Sequence, residues 1–168
     1  KAKVAIDTNL SYTIKNKAYT NRYITVSNET AYAYENATGT AAEWHFEQSS
    51  TAGKYYLKNS DGRYCSDVRT SIPLAVDESK EKAALYALQE LDHGVWAIVG
   101  ENSNFHAAAS QDYSVVGWGT DAQASQWYIT AQSPVGNAEA LAGLEALISK
   151  SERLVDELSA GTTVTKGD

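Results

Sequence analysis

The sequence predicts an all-β fold made of three copies of one unit of about 41 residues, followed by a single amphipathic helix. Three observations predict it. Aromatic and apolar landmarks return three times in phase along the chain. Within each copy, short runs alternate apolar and polar residues, the period of a half-buried strand. Toward the C-terminus the apolar period lengthens to about 3.6, that of a helix face.

The phase is read from spacings. Tyr23 and Tyr64 lie 41 residues apart, as do Tyr64 and Phe105, Tyr55 and Trp96, and Leu57 and Ile98. Tyr32, Leu74 and Val116 follow at steps of 42, and Trp44, Tyr86 and Trp127 at steps of 42 and 41. A phase held by four landmarks marks a repeat architecture. The first copy is two residues longer between Ile14 and Tyr23, which predicts a longer hairpin loop there. Turn residues separate the strands: Thr38-Gly39-Thr40, Ser60-Asp61-Gly62, Asn102-Ser103-Asn104 and Gly119-Thr120-Asp121. Such residues supply the backbone conformations of tight turns.

Four strands per unit and three units resemble a β-trefoil, a six-stranded barrel capped by three hairpins. A propeller is the other architecture of four-stranded units, but it typically needs at least about four blades. On the trefoil reading, residues 1–9 are an N-terminal strand or linker, with Val4 and Ile6 alternating. The trefoil spans 10–132, with repeats 10–48, 53–90 and 94–132. Trp44, Tyr86 and Trp127, in register at the repeat ends, are expected in the core. Pro134 and Gly136 mark 133–137 as a linker.

Leu141, Leu144, Leu147, Ile148, Leu154, Val155 and Leu158 form one stripe on a helix predicted over 138–159. Asn137 is its N-cap, Glu139 lies in its first turn and Gly161 stops it. The stripe wants a partner: the trefoil, a second copy, or further helices of a bundle. Residues 160–168 read as a flexible tail. The helix resembles the leucine-patterned connectors of bacterial multidomain surface proteins, which implies a fragment of something larger.

With 168 residues and 43% hydrophobic content, the chain can bury one core and carry an appendage. Eleven Tyr and four Trp against two Phe favour strands and amphipathic surfaces. No run approaches the roughly 20 apolar residues of a membrane helix, so no membrane insertion is expected. A net charge of −7 without a Lys/Arg cluster argues against nucleic acid. The chain shows no signal peptide and does not begin with Met, which suggests processing or excision from a larger protein. Cys65, the sole cysteine, excludes an intramolecular disulfide and reads as a packed core thiol.

No catalytic constellation is visible. His45, His93 and His106 lack zinc spacing, and there is no phosphate loop or nucleophile elbow. His45 and His106, each beside a landmark aromatic, should face away from the core. Asp77, Glu78 and Glu81 sit in a mixed-charge stretch that reads as a solvated turn. A non-enzymatic chain with no metal and no cofactor is therefore expected, calcium included.

Cys65-Ser66-Asp67-Val68 and Gln126-Trp127 carry a further resemblance. The chain is similar to ricin-type (R-type) β-trefoil lectins and carbohydrate-binding modules, whose repeats bear C-x-D-V, a stacking aromatic and Q-x-W. The resemblance covers about 10–132. It implies a carboxylate or amide that pairs with sugar hydroxyls and an aromatic face that covers the C–H side of the ring. The candidate glycan-binding residues are Asp67, Trp118, Asp121, Gln123, Asn104 and Tyr34. By the 41-residue offset, Asp67 corresponds to Val26 and Ala108, so acid and aromatic fall in different repeats. Trp118, flanked by Gly117 and Gly119, is an exposed platform or, in register with Tyr34 and Val76, a core filler. Asp67 is a sugar ligand or a carboxylate that satisfies nearby backbone N–H groups. One ring of the Tyr55-Tyr56 pair must point outward, and Tyr19 in the long first loop should be exposed.

The expectation is a non-catalytic, lectin-like accessory module of a larger secreted or surface protein. Its expected partners are a glycan or polysaccharide and the other domains of that parent. Its place is extracellular, at the cell surface or periplasmic. The alternatives are a protein-interaction or spacer trefoil with a decayed site, and a trefoil protease inhibitor acting through a protruding loop.

Overall fold

A computed structural model describes residues 6–109 and 112–134. The helix predicted over 138–159 and the tail over 160–168 lie outside the described residues. Of the stretch 1–9 read as a strand or linker, residues 1–5 lie outside the described residues and 6–9 form a turn. That turn is pinned at Asp7, whose backbone N–H donates to the Tyr12 hydroxyl at 2.8 Å.

Among the described residues twelve strands follow, in three groups of four. The first holds β1 (Leu10–Asn16), β2 (Arg22–Ser27), β3 (Thr30–Glu35) and β4 (Trp44–Gln48). The second holds β5 (Tyr55–Asn59), β6 (Tyr64–Cys65), β7 (Val76–Asp77) and β8 (Leu85–Asp92). The third holds β9 (Val95–Val99), β10 (Asn104–Ala107), β11 (Val115–Trp118) and β12 (Trp127–Pro134). The first and last strands of each group pair in a ring, β1-β4-β5-β8-β9-β12, and β12 returns to β1. All registered pairs in that ring are antiparallel. A closed ring leaves no barrel edge unpaired.

The inner strands make three hairpins, β2–β3, β6–β7 and β10–β11. They meet around the pseudo-three-fold axis. The Ala31 N–H donates to the Leu74 carbonyl at 2.9 Å, and the Leu74 N–H donates to the Val115 carbonyl at 2.8 Å. Ala31, Leu74 and Val115 occupy the same place in their repeats, and all are buried.

The core repeats in the same way. Ile14, Leu57 and Ile98 are fully buried, as are Trp44, Tyr86 and Trp127. Each of the latter three anchors the hairpin of its own repeat. Trp44 Nε1–H donates to the Ile24 carbonyl at 2.9 Å, and Trp127 Nε1–H to the Phe105 carbonyl at 3.1 Å. The Tyr86 hydroxyl donates to the Ser66 carbonyl and accepts from the Val68 N–H. A buried polar atom on a large apolar side chain needs such a partner. Cys65 lies fully buried in this core, where desolvation holds its thiol protonated.

The register differs from expectation by one residue at the second strands. Tyr23, Tyr64 and Phe105 are not equivalent. Cross-strand pairs Ile24–Ala33, Cys65–Val76 and Phe105–Gly117 correspond, and the fully buried residues are Ile24, Cys65 and Phe105. Tyr23 corresponds to Tyr64 and Asn104 instead. The cause is the turn between the first and second strands, which shortens from repeat to repeat. It carries Asn16 and Asn59 in the first two repeats but Gly100 in the third. Each asparagine is buried and uses its side-chain oxygen to accept two backbone N–H groups of that turn.

Candidate functional site

The corrected register aligns Tyr34, Asp77 and Trp118 at the end of the third strand of each repeat. Their cross-strand partners are Tyr23, Tyr64 and Asn104. Val76, the expected counterpart of Trp118, is a core residue beside this position. The three positions have different surroundings.

In the third repeat, β10 and β11 pair as Asn104–Trp118, Phe105–Gly117, His106–Val116 and Ala107–Val115. Alternation sends Phe105, Ala107, Val115 and Gly117 inward. Asn104, His106, Val116 and Trp118 therefore share the outer face. Trp118 is 48% exposed, one of three large hydrophobic residues open to solvent among those described. It is a surface platform, not a core filler. The His106 ring lies 5.9 Å from it, centroid to centroid, tilted by 40°. Asn104 Nδ2 donates to the Trp118 carbonyl at 3.0 Å, which fixes the strand end beneath the indole.

A short 3-10 turn at Gln123–Ser125 closes one side of this face. His106 Nδ1 meets the buried Ser125 hydroxyl at 2.7 Å, tying the turn to β10. Burial, and then the nearby Arg22 charge, push the His106 imidazole below its ordinary pKa, so it is neutral at pH 7. Asp121 is exposed and folds back over Gly119, its Oδ1 3.2 Å from where a β-carbon on that glycine would stand. Gln123 is exposed at the start of the turn. Three of the six candidates, Trp118, Asp121 and Gln123, thus belong to the end of β11 and the turn that follows it, and a fourth, Asn104, pairs with Trp118 from the start of β10. His106 joins them. Its two-residue spacing from Asn104 sets both on one face, and the contacts with Trp118 and Ser125 place its ring in the site.

Asp67 is engaged elsewhere. Its Oδ2 accepts from Asn102 Nδ2 at 2.6 Å and lies 3.0 Å from an Arg69 guanidinium nitrogen. Its Oδ1 is buried without a hydrogen-bond partner. The carboxylate joins the long β6–β7 loop to the β9–β10 turn, through side chains rather than backbone N–H groups. The same loop runs along β11: the Gly117 N–H donates to the Arg69 carbonyl at 3.0 Å, and the Ser71 N–H donates to the Gly117 carbonyl at 3.1 Å. Gly117 allows this approach, since a β-carbon there would stand 2.6 Å from the Arg69 carbonyl carbon and would collide with Ser103.

Tyr34 stacks on Tyr32 at 4.8 Å with the rings within 6° of parallel, and meets Tyr113 edge-on at 6.0 Å. Tyr113 and Tyr19 each lie 4.6 Å from the Arg22 guanidinium. Arg22 is only 3% exposed. Its Nε donates to the Ala33 carbonyl at 2.6 Å and its Nη2 to the Ala108 carbonyl at 3.2 Å. Tyr19, expected to be open, is half-buried as a wall of this cluster. Tyr34 therefore heads an aromatic group at the junction of the first and third repeats.

In the second repeat the position is ionic. Asp77 lies 3.5 Å from Lys82, and Glu47 pairs with Lys80 and accepts from the Tyr64 hydroxyl. Lys80 also covers the Tyr56 ring at 4.7 Å, and Lys58 the Tyr64 ring at 5.3 Å. Burial by itself would raise the Glu47 pKa, but the hydrogen bonds from Lys80 and Tyr64 outweigh it and hold the carboxyl below its usual range. Tyr56 is the outward ring of the Tyr55-Tyr56 pair, while Tyr55 packs on Phe46.

Among the described residues no group of three His, Cys, Asp or Glu could hold a metal. None of their helices is long and apolar enough to cross a membrane.

No family model matches the sequence, and no curated protein matches it. Solved structures do resemble the fold. The Rhizoctonia solani agglutinin superposes with a TM-score of 0.66 at 14% identity, covering 78% of this chain and 100% of that one. The Macrolepiota procera ricin B-like lectin, solved with lactose, gives 0.60 at 16% identity over 77% and 100%. A Clostridium perfringens endo-β-galactosidase that releases GlcNAcα1-4Gal gives 0.62 at 16% identity over 74% of this chain and 33% of that one. At these identities the likeness is one of fold: a trefoil of the kind lectins use.

Proposed function

We propose that this chain is a non-catalytic, lectin-like carbohydrate-binding module of a larger secreted or surface protein, and that it holds sugar on the outer face of β10–β11. One observation carries the reading: Trp118 stands open beside His106 at a register where the second repeat has an ion pair. An exposed indole covers the apolar face of a sugar ring. Asn104, Asp121, Gln123 and the imidazole Nε2 are the polar atoms around it that can meet hydroxyls. Tyr34 is the corresponding ring in the first repeat, and Asp67 braces the loop that runs beneath Trp118. The fold supports the reading, since it is shared with lectins and with part of a glycosidase chain.

A glycan array on the purified chain tests it, followed by fluorescence titration of any hit. Binding that is lost in Trp118→Ala supports the proposal. Flat responses across neutral and acidic glycans would move the assignment to a spacer or protein-interaction trefoil.

A further inference from the structure

We infer that the face around Trp118 takes an uncharged saccharide and discriminates against sialylated, sulfated or uronic-acid sugars; this rests on the glycan reading above. The observation is an asymmetry of charge among otherwise equivalent repeats. Residues 94–132 contain no Lys or Arg at all, but carry Glu101, Asp112 and Asp121. Residues 53–90 hold six cations: Lys54, Lys58, Arg63, Arg69, Lys80 and Lys82. Among the described residues, the face with the exposed indole thus draws no cation from its own repeat.

Among the described residues, the cations that reach this region from elsewhere already have partners. Arg22, whose charge reaches His106, is buried between Tyr19 and Tyr113 and bonds the Ala33 and Ala108 carbonyls, so it presents no exposed donor to a ligand. Lys17 Nζ donates to Gln126 Oε1 at 3.3 Å. Arg69 turns its guanidinium to Asp67. His106 is neutral at pH 7 and its Nδ1 is held by Ser125. Among the described residues, the groups this face offers a ligand are therefore indole, neutral imidazole, amide and the Asp121 carboxylate. An anionic group there would meet a like charge without a fixed donor of opposite sign, whereas sites that bind carboxylate or sulfate use Arg or Lys.

The test compares matched ligands on the full chain: lactose, 3′-sialyllactose and 3′-sulfolactose, plus the neutral and charged forms of any other core the array returns. Calorimetry at 0.15 M and 0.5 M salt gives the affinities. The neutral member should bind about tenfold more tightly than its charged partner at the lower salt, and the gap should narrow at the higher. It should also narrow in Asp121→Asn. Equal or tighter binding of the charged member to the Trp118 face would overturn the inference and leave the glycan reading standing. A gap unchanged by both salt and Asp121→Asn would equally overturn it, since charge would not then be the cause. Absence of binding to any glycan would instead remove the glycan reading, and this inference with it.

Discussion

Trp118 and His106 stand side by side on the outer face of the third hairpin, their ring centroids 5.9 Å apart. The pair joins a π surface to a neutral hydrogen-bonding group, while the residues between them in register, Phe105 and Gly117, face the core. Trp118→Ala should therefore abolish glycan binding and change unfolding free energy by less than about 1 kcal/mol. Urea unfolding and fluorescence titration on the same preparation separate the two effects. A large loss of stability would show the indole to be structural.

Trp44 and Trp127 give the opposite pattern. Both are fully buried, and each donates to a hairpin carbonyl of its own repeat. Replacement by Phe strands the Ile24 or Phe105 carbonyl and leaves a void, at a cost of about 2–4 kcal/mol. Equilibrium denaturation should show this for either variant. A cost like that of a surface change would contradict the anchoring role.

Gly117→Ala tests the seam beneath the platform. The added methyl group would press on the Arg69 backbone and on Ser103. Overpacking of that kind costs about 1–3 kcal/mol, and here it would push the β6–β7 loop away from β11. Stability and glycan affinity should fall together, unlike in Trp118→Ala. Gly119→Ala, which meets only the Asp121 side chain, should cost less in the same denaturation experiment.

Arg22→Lys should destabilise by about 2–3 kcal/mol. An ammonium keeps the charge but loses the planar group lying near the Tyr19 and Tyr113 rings and the paired carbonyl bonds. Thermal melts measure the loss. A variant as stable as the parent would show that the guanidinium shape is irrelevant.

Acid should weaken the fold in two stages. His106 and His45 both have lowered pKa values, each first through burial; Arg22 adds to the first and Lys58 to the second. The unfolded chain then takes up these protons first, so their contribution is full above about pH 6.5 and is lost as pH falls below it. Glu47, held down by Lys80 and Tyr64, and Asp77, held down by the Ser79 N–H and then Lys82, follow below about pH 4.5. Melting temperature should fall from pH 7.5 to 5.5 and again below 4.5, with the first step reduced in His106→Gln. A flat profile down to pH 5 would contradict it.

The three-fold plan, the barrel strands and the aromatic core were legible in residue order. Alternation and spacing reflect which side chains must leave water, a demand that each strand records locally. Trp44, Tyr86 and Trp127 were readable for that reason, as were Asn104 and Trp118 as members of the third repeat. Other features depended on partners far away in sequence. Whether Ile24 or Tyr23 fills the core turned on the turn before β2. Whether Trp118 packs or stands open turned on the β6–β7 loop, which bonds to Gly117 and Val115 and leaves the indole exposed. Asp67 matched a sugar-binding pattern, yet Asn102 and Arg69 claim its carboxylate. Nothing in residue order marks Arg22 as a buried cation; only the fold closes Tyr19 and Tyr113 around it. Residue order determined what had to be buried. Only the meeting of loops from different repeats decided which polar and aromatic groups were used up inside the fold and which were left facing water.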